Sequence, residues 1–147
     1  MASKISWLQT VSKHPLPILT SSHSLPKPNA PYRHWSQCIE QDPVLALHLF
    51  NHINQILKKK QTQATKLSHV ISLLGTKKIY QIAESLPKVN KQDASQLSLF
   101  QLVADAQVAT FLLKQCLSQR HYTLNEEAYW HSIFHYVGHW PLTLLNY

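Results

Sequence analysis

Apolar side chains recur every three or four positions through most of the chain, which is the spacing that gives a helix one apolar face. The segment 13–31 is the exception, because it holds five prolines and proline interrupts helices. The predicted helices cover residues 32–40, 42–57, 67–74, 76–86 and 93–117, and a last one begins at 125 and runs through Val137 toward Pro141. This pattern predicts an all-α fold, a compact bundle of about six helices.

Several of the predicted helices begin or end at residues suited to capping. Asp42 precedes Pro43, so its carboxylate can accept from the first free amides while the proline occupies the first helical position. Asn125 stands in the corresponding place before the last helix, and Thr76 before the fourth. Gly75 separates the third and fourth helices, because glycine readily takes the left-handed conformation that ends a helix.

The segment 93–117 is the longest predicted helix and the most apolar. We expect it to face the core through a stripe at helical spacing, formed by Leu97, Phe100, Ala104, Val108, Phe111 and Leu112. Its apolar run is interrupted at Gln101, Asp105, Gln107 and Lys114. We therefore do not expect it to span a bilayer, and the N-terminus has no apolar core of signal-peptide length. These features predict a soluble, cytoplasmic protein without a membrane partner.

Glycine is scarce, because the 147 residues include two glycines, Gly75 and Gly138, against eight prolines. A domain of this size usually has about ten glycines. Tight hairpins and phosphate-binding loops both depend on glycine for conformations that other residues avoid. The composition therefore disfavours many-stranded β folds, Rossmann folds and P-loops, and it favours helices joined by short connections.

The net charge of +7 comes mainly from lysines in the middle of the chain. Residues 58–91 contain eight lysines and one acidic residue, Glu84. The candidate basic interaction surface consists of Lys58, Lys59, Lys60, Lys77 and Lys78. Two interpretations stay open, a solvated surface or a surface for an acidic protein, a membrane or nucleic acid. The chain has two arginines, and arginine is the residue that reads bases best, so the solvated surface is favoured.

The two short helices that meet at Gly75 have the outline of a helix-turn-helix. If the second of them read DNA, its residues facing the groove would be Tyr80, Gln81 and Glu84. In the alternative, which we favour, this helix packs against the core through Ile79, Ile82 and Ala83.

The two cysteines, Cys38 and Cys116, are far apart in the sequence and have apolar neighbours. Their spacing is not that of a metal site. We predict buried free thiols in a reducing compartment rather than a disulfide. No residue near Cys116 in the sequence would activate it as a nucleophile.

Three histidines, His131, His135 and His139, fall four residues apart in the last predicted helix and so share one face. Two of them could chelate zinc, but all three span about 12 Å and cannot converge on one ion. Asp105 is the one carboxylate that could join them from another helix. Because a zinc site needs three or four ligands, we expect exposed or hydrogen-bonded histidines and no metal or other cofactor.

A set of short motifs resembles a known family. The motifs are Ile39-x-x-Asp42-Pro43-x-Leu45, Leu74-Gly75, Glu126-Glu127-Ala128-Tyr129 and Ile133-Phe134-His135-Tyr136-Val137-Gly138. In this order, over residues 15–145, they resemble the HDOD domain, the HD-related output domain of bacterial signalling proteins. The resemblance implies an all-helical domain over residues 15–147, after an N-terminal segment 1–14, that lacks the C-terminal part usual in the family.

The departures from the HD pattern bear on activity. In active HD phosphohydrolases a histidine and a later His-Asp doublet hold a divalent metal. The doublet here reads His135-Tyr136, and counting back from it places Asp105 near the earlier histidine. A tyrosine cannot replace a carboxylate as a hard-metal ligand at neutral pH, because phenol titrates near 10. Asp105, His135 and Tyr136 are thus degenerate HD positions, and the resemblance implies a domain that is not an enzyme.

The leading expectation is a non-catalytic signal-transduction module that acts through contacts with a protein partner, with homodimerisation left open. One alternative is a nucleic-acid or nucleotide-binding module that uses the basic stretch 58–91. A weaker alternative is a residual HD-type phosphohydrolase that depends on a metal.

Overall fold

The computed structural model describes residues 17–90, 92–121 and 125–137, with the backbone alone at 94, 95, 136 and 137. Within these residues the fold is all-α, as predicted, with six α-helices, one 3₁₀ turn at Lys58–Lys60 and no strand. The helices are α1 (Tyr32–Gln41), α2 (Pro43–Leu57), α3 (Leu67–Leu74), α4 (Thr76–Ser85), α5 (Ala94–Gln119) and α6 (Glu126–Val137). They divide into two packing units: Pro17–Val89 holds α1 to α4, and the residues from Asn90 hold α5 and α6.

Helix α2 is the centre of the unit Pro17–Val89, because it contacts α1, α3, α4 and the 3₁₀ turn. Nine of its fifteen residues are buried. The largest fully buried side chains of this unit are Ile18, Trp35, Ile39, Val44, Leu45, Leu49, Val70 and Ile79. The helix begins as predicted, since the Asp42 carboxylate accepts a hydrogen bond from the backbone N–H of Leu45 at 3.1 Å.

The two ends of this unit are paired with each other. The N–H of Ile18 donates to the carbonyl of Pro87 at 2.8 Å, and the N–H of Val89 donates to the carbonyl of Ile18 at 3.0 Å. The Lys88 ammonium donates to three carbonyls at the end of α4, those of Ala83, Glu84 and Leu86, at 2.7–2.8 Å. A cation there satisfies carbonyl groups that have no partner within the helix.

The junction of α3 and α4 is made by Gly75, as predicted. Its φ of +76° lies in the region that side chains with a Cβ avoid, and its N–H closes the last turn of α3 on Ile71. The prediction that Thr76 caps α4 is wrong. Its hydroxyl donates instead to the carbonyl of Pro28 at 2.8 Å, so it fastens the proline-rich lead-in to the start of α4.

The second unit is built from α5 and α6, which pack against each other. The buried face of α5 consists of Leu99, Val103, Ala106 and Thr110. Helix α6 buries Trp130 and Ile133, and Trp130 stacks on Phe134 with ring centres 5.5 Å apart. The predicted cap of α6 is confirmed, since Asn125 Oδ1 accepts from the N–H of Ala128 at 2.8 Å.

The expected core stripe of α5 is wrong. Leu97, Val108, Phe111 and Leu112 are 46–59 % exposed, Ala104 is also exposed, and Phe100 is half-buried. Helix α5 carries apolar residues on two opposite faces, because Leu97 and the buried Leu99 are rotated by roughly 200° from each other. Helical periodicity predicts such a helix correctly and does not decide which of its two faces is buried.

The cysteine prediction is confirmed in one respect and wrong in another. Both thiols are free, as expected. Cys38 is half-buried, whereas Cys116 is exposed rather than buried. Cys116 is exposed because it does not lie on the buried face of α5, which is also why the expected core stripe is exposed.

One helix of the described residues is long and apolar enough to cross a membrane, namely Gln96–Gln119 within α5. Within this helix, 22 % of the most apolar 18-residue window is buried. Length and composition alone are weak evidence, because a core helix of a soluble protein passes the same test. The expectation that this segment does not span a bilayer stays a prediction.

Candidate functional site

A cleft of about 630 Å³ lies between α5 and α6. Helix α5 lines it with Ala109, Thr110 and Leu113, and α6 lines it with His131, Ser132 and His135. The i, i+4 spacing brings the two histidines to this cleft, as their shared face predicted. His131 Nε2 also lies 3.8 Å from Glu127 Oε1, but the two side chains are 78 % and 56 % exposed, so this pair contributes little.

The degenerate HD positions do not assemble into a metal centre within the described residues. His135 lines the cleft, whereas Asp105 is exposed and is not among the lining residues. The Asp105 carboxylate accepts a hydrogen bond from Gln101 Nε2 at 2.8 Å. No group of three histidine, cysteine or acidic side chains in the part that the structure describes is placed to hold a metal ion. The side chain of Tyr136, with His139 and Gly138, lies outside the described residues.

Thr110 is a residue of the cleft that sequence reasoning missed. It is 3 % exposed, and its Oγ1 is the one buried side-chain oxygen or nitrogen in the described part without a hydrogen-bond partner. A buried hydroxyl without a partner costs about 1–3 kcal/mol. No signal in the sequence marks it, because helical spacing alone does not determine which face of α5 is buried.

Helix α5 has an exposed apolar face that carries four large hydrophobic side chains. We call it the α5 stripe, and its members are Leu97, Ala104, Val108, Phe111 and Leu112. The residues that complete this face, Gln101 and Gln115, are uncharged. From Leu97 to Leu112 the stripe runs about 22 Å along the helix axis. A contiguous exposed apolar patch of this kind is typical of an interaction site.

The predicted basic surface is exposed as expected. Lys58, Lys59 and Lys60 form the 3₁₀ turn after α2, and Lys77 and Lys78 lie in the first turn of α4, all five with exposed side chains. Within the described residues no lysine or arginine forms an ion pair. These cations therefore face solvent without a carboxylate partner.

Helices α3 and α4 have the outline of a helix-turn-helix, but the contacts of α4 are those of a helix packed on the core. Ile79 and Ala83 are buried, so α4 packs against the core in the way the favoured alternative predicts. On its outer side Tyr80 Oη donates to Glu84 Oε1 at 3.3 Å, and the Glu84 charge raises the pKa of Tyr80 above its ordinary value. The negative charge of Glu84 disfavours docking of this face on phosphates.

Cys38 lies in a polar cluster near the start of α2. Its Sγ is 4.0 Å from the hydroxyl of Thr20, which in turn donates to the buried carboxylate of Asp42. Burial raises the pKa of the Cys38 thiol; the Thr20 hydrogen bond acts in the opposite direction, and the Asp42 charge adds to the rise. A thiol with a raised pKa is a poor nucleophile at neutral pH.

Comparison with known proteins gives no relative. No family model matches the chain, and no curated protein or solved structure shows significant similarity to it.

Proposed function

We propose that this chain is a non-catalytic regulatory module of a cytoplasmic signalling pathway, and that it works through contact with a protein partner at the α5 stripe. The observation that carries the proposal is the exposure of Val108, Phe111 and Leu112, each more than half exposed on a helix whose opposite face is buried. Burying such side chains on association is favourable by about 25 cal/mol per Å² of apolar surface.

The geometry of the stripe favours a helical partner. Its members stand at positions i, i+7, i+11, i+14 and i+15, which is the spacing by which one helix packs along another. The stripe is four turns long and one helix wide, so an amphipathic helix of similar length would cover it. The line of positions along the middle of the stripe, Leu97, Gln101, Ala104, Val108 and Gln115, carries no charge, and Asp105 lies at its edge. Charges are likewise depleted from the centres of protein–protein interfaces.

Two features support a role without catalysis. The sequence places His135-Tyr136 where an HD phosphohydrolase has His-Asp, and a phenol is a poor ligand for a hard metal. Asp105 stands near the position at which HD phosphohydrolases have their earlier metal-binding histidine. Its carboxylate is hydrogen-bonded to Gln101, and it does not line the cleft that contains His135.

The partner is tested by site-specific cross-linking. A photo-reactive amino acid is placed at Val108, on the stripe, and at Gln81 as the matched control, which is an exposed position of α4 in the other unit. The protein captured at Val108 is then purified and titrated against the wild type, Phe111→Ser and Gln81→Ser. We expect Phe111→Ser to weaken binding at least tenfold and Gln81→Ser less than twofold. Equal affinities would contradict the proposal, and a product of twice the chain's mass would identify the partner as a second copy.

The absence of catalysis is tested separately. Purified protein is assayed for metal content and for phosphodiesterase activity on cyclic dinucleotides with manganese. Stoichiometric metal, or turnover that disappears in His135→Ala, would establish the residual phosphohydrolase instead.

A further inference from the structure

The unit Pro17–Val89 carries almost all of the excess positive charge of the chain. It contains nine lysine and arginine residues and three acidic residues, so +6 of the net +7 lies within it. One of the acids, Asp42, is 1 % exposed and is bonded within the fold. One of the lysines, Lys88, is occupied by three carbonyls. The surface of this unit therefore presents eight cationic side chains against two carboxylates, those of Glu40 and Glu84.

Four of these cations are held at one end of α2. Lys58, Lys59 and Lys60 form the 3₁₀ turn, which continues directly from α2. The loop after it is fastened back to α2 by Asn54, whose Oδ1 accepts from the N–H of Ala64 at 2.8 Å and whose Nδ2 donates to the carbonyl of Ala64 at 3.3 Å. Lys66 follows Ala64 by two residues, so it is held close to the same end of the helix. We call these four residues the lysine corner.

The lysine corner is fixed at the level of its backbone. Beyond the Asn54 hydrogen bonds, the N–H of Gln61 donates to the carbonyl of Lys58 at 3.2 Å, and Gln61 takes a left-handed φ of 55°. A helix C-terminus attracts a cation in its last turn, because the free carbonyl groups there carry partial negative charge. Four lysines within nine residues, without an acidic residue among them, exceed that need and repel one another.

We propose that the lysine corner, Lys58, Lys59, Lys60 and Lys66, binds the phosphate backbone of duplex nucleic acid without reading its sequence. Lysine supplies a point charge suited to phosphate, whereas base reading relies on the planar fork of arginine. The segment 52–69 has no tryptophan, tyrosine or phenylalanine on which unpaired bases could stack, so the duplex is favoured over a single strand.

Other anionic partners fit the corner less well. Protein interfaces concentrate their binding energy in tryptophan, tyrosine and arginine and are depleted in lysine, and the corner has the opposite composition. Stable attachment to a membrane surface usually combines cations with apolar anchors or a lipid chain. Ile56, which is 51 % exposed, is the one large apolar side chain of the segment 52–69 that is strongly exposed.

The test measures binding of the full chain to a labelled 20-base-pair DNA duplex by fluorescence anisotropy between 50 and 200 mM NaCl. We expect log K to fall linearly with log salt, with a slope of about −3 to −4 for four phosphate contacts. Two duplexes of unrelated sequence should bind equally, and a single strand of the same length more weakly. No binding at 50 mM NaCl, or a preference for one duplex sequence, would overturn the proposal.

Two triple variants locate the site. Lys58→Gln/Lys59→Gln/Lys60→Gln removes three charges from the corner, and Lys27→Gln/Lys77→Gln/Lys78→Gln removes three exposed charges elsewhere in the same unit. The first should weaken binding at least tenfold at 50 mM NaCl and reduce the salt slope by about 3. The second should change affinity less than threefold. Equal losses would show that the net charge binds rather than the corner, and that result would overturn the proposal.

A competition experiment separates nucleic acid from the other anions. Polyglutamate and vesicles containing 30 % phosphatidylserine are added at matched charge to the protein–duplex complex. The duplex should stay bound, and release by either competitor at a lower charge concentration than unlabelled duplex would assign the corner to that class of partner. Thermal melting of both triple variants checks that they are folded.

Discussion

The carboxylate of Asp42 fastens Thr20, which lies 22 residues earlier, to the start of α2. Its Oδ2 accepts from the backbone N–H of Thr20 at 2.8 Å and from the Thr20 hydroxyl at 2.7 Å, while Oδ1 caps the helix through Leu45. One carboxylate thus starts a helix and holds the irregular lead-in against it. Because Asp42 is 1 % exposed, these three donors replace the water that the carboxylate loses.

Asp42→Ala should lower the free energy of unfolding by about 2–3 kcal/mol, because the helix cap and both bonds to Thr20 are lost. Thr20→Val removes the hydroxyl and keeps the N–H, so it should cost about 1 kcal/mol. Urea denaturation of both single variants and the double variant gives the coupling energy, which we expect to be about 0.5–1.5 kcal/mol. Strictly additive losses would show that the hydroxyl bond contributes nothing to stability.

Two valines of α5 test which face of the helix is buried. Val103 is 3 % exposed and Val108 is 58 % exposed. Val103→Ala should cost about 1–3 kcal/mol of unfolding free energy, because it leaves a cavity. Val108→Ala should change stability by about 0.5 kcal/mol or less. Chemical denaturation followed by circular dichroism measures both, and a larger loss for Val108→Ala would reverse the assignment of the two faces.

The Asn54 side chain should determine how tightly the loop over residues 61–66 is held. Asn54→Ala removes both bonds to Ala64 and should cost about 1–2 kcal/mol. Asn54→Asp keeps the acceptor for the N–H of Ala64 and loses the donor, so its loss should be intermediate. Limited trypsin digestion should cleave after Lys60 and Lys66 faster in Asn54→Ala than in the wild type. Unchanged cleavage would mean that other contacts hold the loop.

The two free thiols should differ in reactivity. Cys116 is exposed, so it should react with iodoacetamide well before the half-buried Cys38. Because burial raises the pKa of Cys38 above the ordinary value of a thiol, its labelling rate should still be rising with pH where an ordinary thiol has levelled off. The raised pKa also means that the folded state holds the thiol proton more tightly, so this contribution to stability is present at neutral pH and is lost as the pH rises above about 9. Mass spectrometry at pH 7–10 measures the rates, and equal rates would refute the difference.

Gly75 should resist substitution for a conformational reason alone. A Cβ at this position would meet no atom within 4 Å, yet the φ of +76° and ψ of 153° lie in a region that residues other than glycine rarely adopt. Gly75→Ala should therefore cost about 1–3 kcal/mol. Gln81→Ala, at an exposed position of α4, is the control and should be near neutral or slightly stabilising. Thermal or urea unfolding of both variants measures the difference.

The sequence predicted well the features that depend on neighbouring residues. Asp42, Gly75 and Asn125 mark helix ends because a cap acts within three or four residues, so its chemistry can be read locally. Lys58 to Lys60 were expected at the surface because an unpaired ammonium is costly to bury.

Features that depend on distant residues were not predictable in this way. The hydroxyl of Thr76 is bonded to Pro28, 48 residues earlier, rather than to its own helix. The apolar spacing of α5 fits two faces, and only the packing of the folded chain determines that Val103 is buried and Val108 is exposed. The cleft between the two helices, with the buried hydroxyl of Thr110, follows from the same choice of face.

The pairing of Ile18 with Pro87 and Val89 has a consequence for how the unit Pro17–Val89 can be used. The segments of chain that enter and leave the unit lie side by side, with the N–H nitrogen of Val89 3.0 Å from the carbonyl oxygen of Ile18. A unit whose ends meet can be grafted into a surface loop of an unrelated host, or cut open elsewhere and rejoined at its natural ends, without stretching the fold. The four helices and their lysine corner can therefore be transferred together into another protein as one unit.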